Sequence, residues 1–600
     1  MTPYRAPLSD IDFVLNELCD LEGLSHLEHF SHAEPAVVAD LLAEAGRFAA
    51  EVVAPTNQPG DQTGCVRHPD GSVTTPPGFK EAYRAYVDAG WGSVPFDPGY
   101  GGGGFPWLVG TALAELTSTA NLAWSMAPGL SHGAVHLIER IGTEGQRERY
   151  LSKLVSGEWT GTMNLTEPDA GSDVGALRTR AVPRDDGTWL ITGTKIFISF
   201  GEHDLADNIV HLVLARTPDA PPGVKGISCF IVPKFLVDDD GNPGARNDVT
   251  CLSIEHKLGI KGSPTCVLAF GEGEGAVGEL IGAEHRGMEA MFIMMNQARL
   301  AVGLQGMAVA ERSYQQALAY ALERRQGRAP GAPAGESSPI VRHPDVRRML
   351  LTMKAQIEAM RALVYWNAAV IDRSLHDPDP QLREEWDEIA ALLTPLTKAW
   401  CTDTGIDVTS LGIQVHGGVG FIEETGAAQH LRDARITSIY EGTNGIQAMD
   451  LVGRKLPMRG GAVVKDHLER IAAIDAELAD AGPDLAGIRS ELREAHAALV
   501  EATLWVASSA GSPTDVLAGA TPYLRLFAMV TAGWLMARSA LAAQARLARG
   551  DGDEAFLHSK VTTARFFCEQ LLPPAVGLLP SITAGAAPLD AFDPEVLPAG

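Results

Sequence analysis

The pattern of residues changes twice along the chain, and this constrains the fold more than any other feature. Residues 34–154 carry Ala, Leu and Glu at the three-to-four spacing of amphipathic helices. Between residues 160 and 270 the pattern becomes short β-branched runs separated by clusters of Gly, Pro and Asp, which is typical of antiparallel strands joined by turns. Helical periodicity returns from residue 289 onward. This segregated order predicts an α+β fold rather than alternating βαβ units.

Length and a glycine-rich break divide the chain further. Six hundred residues exceed what one hydrophobic core can organise. The break Arg459-Gly460-Gly461 is followed by four more amphipathic stretches, which predict helices packed in antiparallel hairpins. We therefore predict four domains, namely an N-terminal helical domain at 1–158, a middle antiparallel β domain at 159–278, a C-terminal helical bundle at 279–458 and an appended helical domain at 459–600.

Charge and cysteine usage narrow the class of protein. A net charge of −27 repels polyanions, which argues against binding to nucleic acid or to an anionic membrane surface. Seven scattered cysteines without CxxC spacing predict reduced thiols rather than a disulfide framework or a metal site. No signal-peptide pattern opens the chain, and the longest apolar stretch, near 107–123, carries Glu115. We therefore expect a cytoplasmic protein with no membrane span and no bound metal.

A Gly-x-Gly-x-x-Gly run at 273–278 matches the dinucleotide-binding fingerprint in its letters. It follows a predicted strand at 265–270, but Glu272 and Glu274 would face the pyrophosphate, and Gly282 interrupts the segment that should open a long helix. We interpret this run as a turn.

A single carboxylate, Glu441, lies in the run IYEGTNGIQ at 439–447, between helix-compatible apolar residues and a Gly-Thr break. This pattern predicts that Glu441 is presented from a loop, where a carboxylate is a candidate general base. On this run alone, a solvated loop glutamate is the alternative interpretation.

A candidate cofactor segment, MNLTEPDAGSD at 163–173, lies at the entry to the β region. Thr166 and Ser172 supply hydroxyls, and Gly171 allows the backbone to approach a flat or phosphorylated ligand closely. Taken alone, the segment favours an Asx or Ser/Thr turn over a ligand site.

Six motifs occur in a fixed order, and together they resemble the acyl-CoA dehydrogenase flavoproteins over residues ~35–455. They are TEPDAGSD (166–173), GTKIFIS (193–199), KLGIKGS (257–263), QVHGGVG (414–420), RDAR (432–435) and IYEGTNGIQ. The opening YRAPL (4–8) and the appended helices resemble the larger subgroup of that family that includes 3-methylmercaptopropionyl-CoA dehydrogenase. The resemblance implies an FAD cofactor, an acyl-CoA substrate, a role in fatty acid metabolism, a homodimer or dimer of dimers, and an electron-transferring flavoprotein as electron acceptor.

The resemblance also assigns residues to the cofactor. It implies that the flavin ring is lined by Leu165, Thr166, Gly171 and Ser172. The family's aromatic-x-hydroxyl pair falls on Phe197 and Ser199, where the family more often has Trp and Thr. Contacts to the phosphates and adenosine, several of them across a subunit interface, are implied for Arg324, Gln414, Gly417, Gly418 and Thr443. The sequence departs from the family at Gly445, which replaces a common Gln, and after Arg324, which leaves the neighbouring contacts open.

The implied reaction is α,β-dehydrogenation of the thioester to the trans-2-enoyl-CoA, with Glu441 as the α-proton base and hydride transfer to flavin N5. Some members carry the base on the long helix at the position of Ala298, and alanine cannot serve. Burial between flavin and thioester is expected to raise the pKa of Glu441. Substrate contacts are implied for Ser172, Asn296, Arg299 and Gly442. Two alternatives stay open, an acyl-CoA oxidase that passes electrons to oxygen, and a non-catalytic flavin-containing relative associated with DNA.

Overall fold

Helices account for most of the described chain, which in the computed structural model comprises residues 3–238, 240–593 and 595–596. Numbered along the chain, the α-helices are α1 Leu8–Phe13, α2 Leu21–Ser25, α3 Pro35–Phe48, α4 Asn57–Thr63, α5 Phe79–Asp88, α6 Trp107–Ala120, α7 Leu122–Ile141, α8 Glu144–Ser156, α9 Gly287–Glu323, α10 Pro344–His376, α11 Pro380–His416, α12 Ala427–Ala434, α13 Asn444–Asp450, α14 Ala462–Asp480, α15 Ala486–Ser508, α16 Pro513–Arg549, α17 Glu554–Phe566, α18 Pro573–Val576, α19 Leu579–Thr583 and α20 Ala587–Asp590. Single π-helical turns occupy Val14–Leu18, Ala49–Val53, Leu451–Lys455 and Phe567–Leu571.

The described chain has twelve strands, of which a short first pair lies between α4 and α5 and the other ten lie between α8 and α9, where the sequence pattern predicts them. They are β1 Val66–Arg67, β2 Val73–Thr74, β3 Trp159–Asn164, β4 Arg180–Pro183, β5 Trp189–Ser199, β6 Asn208–Arg216, β7 Ile227–Pro233, β8 Phe235–Val237, β9 Pro243–Arg246, β10 Val249–Ile254, β11 Thr265–Phe270 and β12 Ala276–Ile281. The α+β class and the helical, β, helical order are therefore confirmed.

Contacts divide the chain into two units. The first contains Pro3–Ala6 and Asp40–Ala301, and the second contains Pro7–Ala39 and the chain from Val302 onward. The boundary near Ala301 falls inside α9, so this helix supplies residues to both units.

An eight-stranded sheet organises the first unit. Seven strands pair in the order β10-β11-β5-β12-β7-β6-β3, and β4 pairs with β5 and β6. Most pairs are antiparallel, as predicted, but β3 runs parallel to β6, with Trp159 opposite Asn208. This departure from the prediction is possible because the connection from β3 to β6 is long and includes β4 and β5, whereas a tight hairpin would have forced an antiparallel pair.

Strand β6 is buried on both faces of the sheet, so its side chains alternate between two hydrophobic cores. Val210, Leu212 and Leu214 face one core, which also contains side chains of α7, α8 and α9. Val213 and Ala215 face a second core with side chains of β5, β10 and β11. The period-two alternation of strand side chains explains how one apolar run can serve both cores.

The first half of the Gly-x-Gly-x-x-Gly run is a turn, as predicted, whereas its second half, residues 276–278, is the start of β12. In the turn, the N–H groups of Gly273 and Gly275 donate to the carboxylate of Asp248 at 2.8 and 3.1 Å. The next helix, α9, begins only at Gly287.

The appended helices α14–α17 match the four amphipathic stretches of the sequence. Helix α16 begins at Pro513, because proline is tolerated in the first helical turn, where its missing N–H would have no partner within the helix. Its length and composition would suffice to cross a membrane, but 78% of its most apolar stretch is buried inside the protein, a feature that core helices share.

A buried cluster of six charged side chains joins distant segments of the second unit. Helix α1 supplies Asp10, α9 supplies Glu311, α17 supplies Lys560, and α10 supplies Lys354, Glu358 and Arg361. Lys560 Nζ lies 3.1 Å from Asp10 and 2.9 Å from Glu358, and Arg361 lies 3.0 Å from Glu311. Three carboxylates thus balance three cations. Burial raises the pKa of Asp10, but Lys560, Lys354 and Arg361 outweigh burial and hold it well below its usual range.

We expect Lys560→Met to destabilise the protein strongly because it leaves Asp10 and Glu358 in the interior with one cation fewer. Breaking one partner of a buried ion pair costs about 3–5 kcal/mol. Urea unfolding of the two proteins measures the difference. The control Lys465→Met removes a side chain that is 73% exposed in a pair with Glu469, and it should change stability by less than about 0.5 kcal/mol. Equal effects of the two substitutions would contradict the role of the cluster.

The stability difference between the wild type and Asp10→Asn should depend on pH in one direction. Because the folded pKa of Asp10 is depressed, its contribution is fully present above the unfolded value of about 3.9 and is lost as the pH falls toward the folded value. Urea titrations should therefore give a constant difference from pH 5 to 8 and a smaller one at pH 3. A difference that grows at pH 3 would contradict the depressed pKa.

Candidate active site

The loop after β3 carries the first two predicted flavin residues, Leu165 and Thr166, both half-buried. The N–H of Ile196 in β5 donates to the carbonyl of Thr166 at 2.9 Å, and Lys195 Nζ donates to the carbonyl of Leu165 at 3.0 Å. These bonds hold the start of the TEPDAGSD segment against the GTKIFIS strand, so the structure brings the two motifs together.

A buried ion pair fixes this junction. Glu167 accepts from Lys195 Nζ at 2.8 Å, from the Thr179 hydroxyl at 2.6 Å and from the N–H of Arg178 at 2.6 Å. Burial raises the pKa of Glu167, but Lys195 and these hydrogen bonds outweigh burial, so the pKa lies below its usual range. Burial lowers the pKa of Lys195 to about 8, against the opposing effect of Glu167. Both side chains are buried, so the pair holds the loop after β3 against β5.

Phe197 has an unusual backbone conformation for an aromatic residue. Its φ is +60°, in the left-handed region, and its side chain is 58% exposed. The cause is a β-bulge, because the register between β11 and β5 shifts where Cys266 pairs with Ile198 and Leu268 pairs with Lys195. Past the bulge, Ser199 pairs with Thr265 at the end of the strand. The left-handed backbone of Phe197 is unfavourable in conformational energy, and it turns the aromatic ring outward at the predicted flavin position.

Gly171 and Ser172 are exposed in the loop between β3 and β4. A Cβ added to Gly171 would meet no atom within 4 Å, so the backbone here is open to a ligand. On α9, Asn296 is exposed and Arg299 is buried, with its guanidinium 5.9 Å from the ring of Phe292.

In the second unit, Glu441 lies in a loop before α13, as predicted, and is half-buried. Its φ is +56° and that of Gly442 is +84°, so two successive residues adopt the left-handed conformation. The Gln447 amide donates to the carbonyls of Glu441 and Gly442 at 3.3 and 3.4 Å. The Thr443 hydroxyl accepts from the N–H of Ile446 at 3.3 Å and caps α13.

Asn444 fastens this loop to α11. Its carbonyl oxygen accepts from Lys398 Nζ at 2.8 Å, and its amide group donates to the Ala399 carbonyl at 3.1 Å and to Asp403 at 2.7 Å. One residue before Glu441, the Tyr440 hydroxyl donates to Gln305 on α9. Side chains on both sides of Glu441 are therefore tied to long helices, which fixes the backbone of the loop that carries it.

Four of the five predicted phosphate and adenosine residues lie at the C-terminal ends of two helices of the second unit, and the fifth is Thr443 at the start of α13. Gln414 is exposed in the last turn of α11, and Gly417 and Gly418 follow it with no atom within 4 Å of an added Cβ. Arg324 is exposed one residue after the end of α9. The ring of Tyr320 stacks on His416 with centroids 4.6 Å apart, and this contact brings the two helix ends together.

Sequence reasoning assigned no role to three residues that hold the candidate site, namely Lys195, Lys398 and Asn444. Lys195 and Asn444 lie inside recognised motifs, but the sequence does not show which distant residues they contact in the folded protein. Lys398 lies in the middle of α11, and no local pattern distinguishes it from a solvated helix lysine. For metals, the described residues contain no group of three or more His, Cys, Asp or Glu side chains arranged to hold an ion.

Family models match nearly the whole chain. They describe the acyl-CoA dehydrogenase N-terminal domain at 39–158, its middle domain at 162–272, its C-terminal domain at 285–456 and an acetyl-CoA dehydrogenase C-terminal-like domain at 468–593.

Relatives match over their full length. The chain is 46% identical to 3-methylmercaptopropionyl-CoA dehydrogenase of Ruegeria pomeroyi over 95% of this chain and 96% of that protein. It is 39% identical to a butyryl-CoA dehydrogenase of Syntrophomonas wolfei over 96% of each. The acyl-CoA dehydrogenase of Bacillus anthracis, solved in complex with FAD, shares the fold with a TM-score of 0.72 and 22% identity over 91% of this chain and 87% of that one. With these matches, the chain belongs to the acyl-CoA dehydrogenase family of FAD-dependent flavoproteins.

Proposed function

We propose that this enzyme oxidises the α,β carbon–carbon bond of an acyl-CoA thioester to the trans-2-enoyl-CoA, with Glu441 as the base that takes the α-proton. The observation that supports this most is the conformation of the Glu441 loop. A left-handed backbone at a glutamate costs of order 1–3 kcal/mol and persists only where the surrounding contacts enforce it. Asn444, Gln447 and Tyr440 are those contacts.

The chemistry explains why a fixed carboxylate is needed. The α-proton of a thioester is weakly acidic, so a base removes it efficiently only when the carbonyl oxygen is polarised by fixed donors and the base is already within reach. We propose that the backbone N–H of Glu441 is one such donor, because the anchored loop fixes its direction together with the side chain. Ser172, Asn296, Arg299 and Gly442 are the proposed substrate contacts.

The residues present fit FAD. Gly171, Gly417 and Gly418 leave open space where side chains would block close approach of the backbone, and a glycine-rich turn suits phosphate. We propose that Leu165, Thr166, Gly171, Ser172, Phe197 and Ser199 hold the flavin ring and that Arg324, Gln414, Gly417, Gly418 and Thr443 hold the rest of the cofactor. Bound FAD would supply the acceptor for the β-hydride at its N5 atom.

The substrate and partners are proposals of the same kind. The names of the two relatives indicate short acyl thioesters, and we propose a graded panel that includes butyryl-CoA and 3-methylmercaptopropionyl-CoA as the first substrates to test. We also propose a homodimer or dimer of dimers in the cytoplasm, an electron-transferring flavoprotein as acceptor, and the four domain ranges given above.

Glu441→Gln should abolish acyl-CoA-dependent flavin bleaching while FAD remains bound, because the amide cannot take the α-proton. Anaerobic stopped-flow absorbance measures bleaching, and the flavin-to-protein ratio measures cofactor content. The matched control is Glu336→Gln, which changes an exposed loop glutamate and should bleach at the wild-type rate.

Bleaching of Glu441→Gln at the wild-type rate would refute Glu441 as the base. Stoichiometric peroxide formation by the wild type under air would instead identify an oxidase.

Asn444→Ala should lower kcat about 10- to 100-fold with little change in cofactor content, because loosening the loop moves the Glu441 carboxylate by a fraction of an ångström or more. Steady-state kinetics with an artificial acceptor give kcat and KM separately. A positioning role predicts a loss mainly in kcat, so a change confined to KM would contradict it.

A further inference from the structure

A large apolar cavity lies in the second unit, and its lining begins at Met449 on α13, eight residues after Glu441. Its volume is about 1110 Å³, and its other lining residues belong to the π-helical turn Leu451–Lys455 with the residues after it, to α14, to α15 with Ala510 after it, and to the start of α16. Apolar side chains dominate the lining, and Leu504 and Leu517 at its edge are 65% and 44% exposed. As far as the described residues show, none of the residues assigned above to FAD or substrate lines it.

A smaller cavity of about 330 Å³ adjoins the large one. The two share Ala472 and His496 in their walls, and the smaller one is also lined by Asp475, Arg489 and Arg493. Along α14 the combined lining extends from Val464 to Leu478, which spans about 21 Å at 1.5 Å per residue. The space is therefore long and mostly apolar, with a charged end.

Besides the exposed pair Lys465 and Glu469, two polar side chains in the wall of the large cavity have partners within the protein. His496 bonds to the Leu468 carbonyl at 2.9 Å, and the Thr503 hydroxyl bonds to the Leu499 carbonyl at 2.7 Å and to the Tyr523 hydroxyl at 2.9 Å. An occupant would thus gain from apolar contact rather than from hydrogen bonds in this part, which suits a hydrocarbon chain better than a peptide backbone.

The lining of the charged end contains two arginines and one aspartate, and Asp480 acts electrostatically on Arg489 from outside the lining. Arg489 pairs with Asp475 through two hydrogen bonds of 2.8 Å, whereas Arg493 Nε lies 3.7 Å from the same carboxylate. Because 3.7 Å is longer than a hydrogen bond, the Arg493 guanidinium has donors left for one further anion. With two aspartates beside the two arginines, a single carboxylate suits this end better than a polyanionic group such as the phosphates of CoA.

We propose that this cavity is a second, non-catalytic binding site for a long-chain fatty carboxylate. Its hydrocarbon chain would lie between α14, α15 and the turn at Gly453, and its carboxylate would lie at Arg493. The site is independent of the proposed dehydrogenation, so binding here is measured without turnover.

Two substitutions fill the cavity without displacing a neighbour. Gly453 has no atom within 4 Å of an added Cβ, and Ala507 is exposed on the α15 wall. Calorimetric titration of the FAD-loaded protein with octanoate, dodecanoate and hexadecanoate should show affinity that rises with chain length. We expect Gly453→Phe and Ala507→Phe to weaken hexadecanoate binding at least tenfold, while Ala486→Phe, an exposed alanine of the same helix outside both cavities, leaves it unchanged.

The charged end is tested with Arg493→Gln, which should weaken hexadecanoate binding several-fold, against Arg549→Gln as a control 60% exposed elsewhere. Flavin bleaching by acyl-CoA should be unchanged in all of these variants. The proposal is overturned if the two Phe substitutions leave hexadecanoate binding intact, or if hexadecanoyl-CoA binds more tightly with the same sensitivity to them. A change in the solution mass of the two Phe variants would also overturn it, because it would identify the cavity as a contact between copies.

Discussion

The buried charge cluster around Asp10 is the interaction on which the second unit most depends. It collects side chains from the N-terminal helix, from α9 and α10, and from α17 of the appended region, more than 500 residues apart along the chain. Several packings of these helices could bury their hydrophobic side chains. Very few of them would also bring all six charged side chains next to a group of opposite charge. A misplaced helix would bury an unpaired charge, at several kcal/mol.

The same principle operates on a smaller scale at the candidate site. Glu167 with Lys195, and Asn444 with Lys398, are buried polar pairs whose side chains reach no substrate in the proposed roles but hold the segments that do. Each pair lies next to a residue in a strained backbone conformation, Phe197 in one case and Glu441 in the other. A strained backbone held by a buried polar pair is typical of functional sites, where the position of a side chain is kept at a cost in stability.

The appended helices contribute in two ways. Lys560 completes the charge cluster and so ties α17 to α1 and α10. The same region leaves an elongated apolar space beside α14 and α15, although a core of this size could have been filled by larger side chains than Gly453, Ala472 and Ala507. Leu504 and Leu517 in its lining are partly exposed, so an apolar ligand would remove their surface from water.

The sequence by itself determined the α+β class, the order of helical and strand regions, the turn at Gly273 and the loop placement of Glu441, because periodicity and glycine position are local properties of the chain. Motif order was enough to identify the family. Tertiary structure alone decided the parallel pairing of β3 with β6, the bulge that turns Phe197 outward, and the partners of Lys195, Lys398 and Asp10. A buried charge and a solvated one look the same in sequence, since burial and pairing depend on residues far away along the chain.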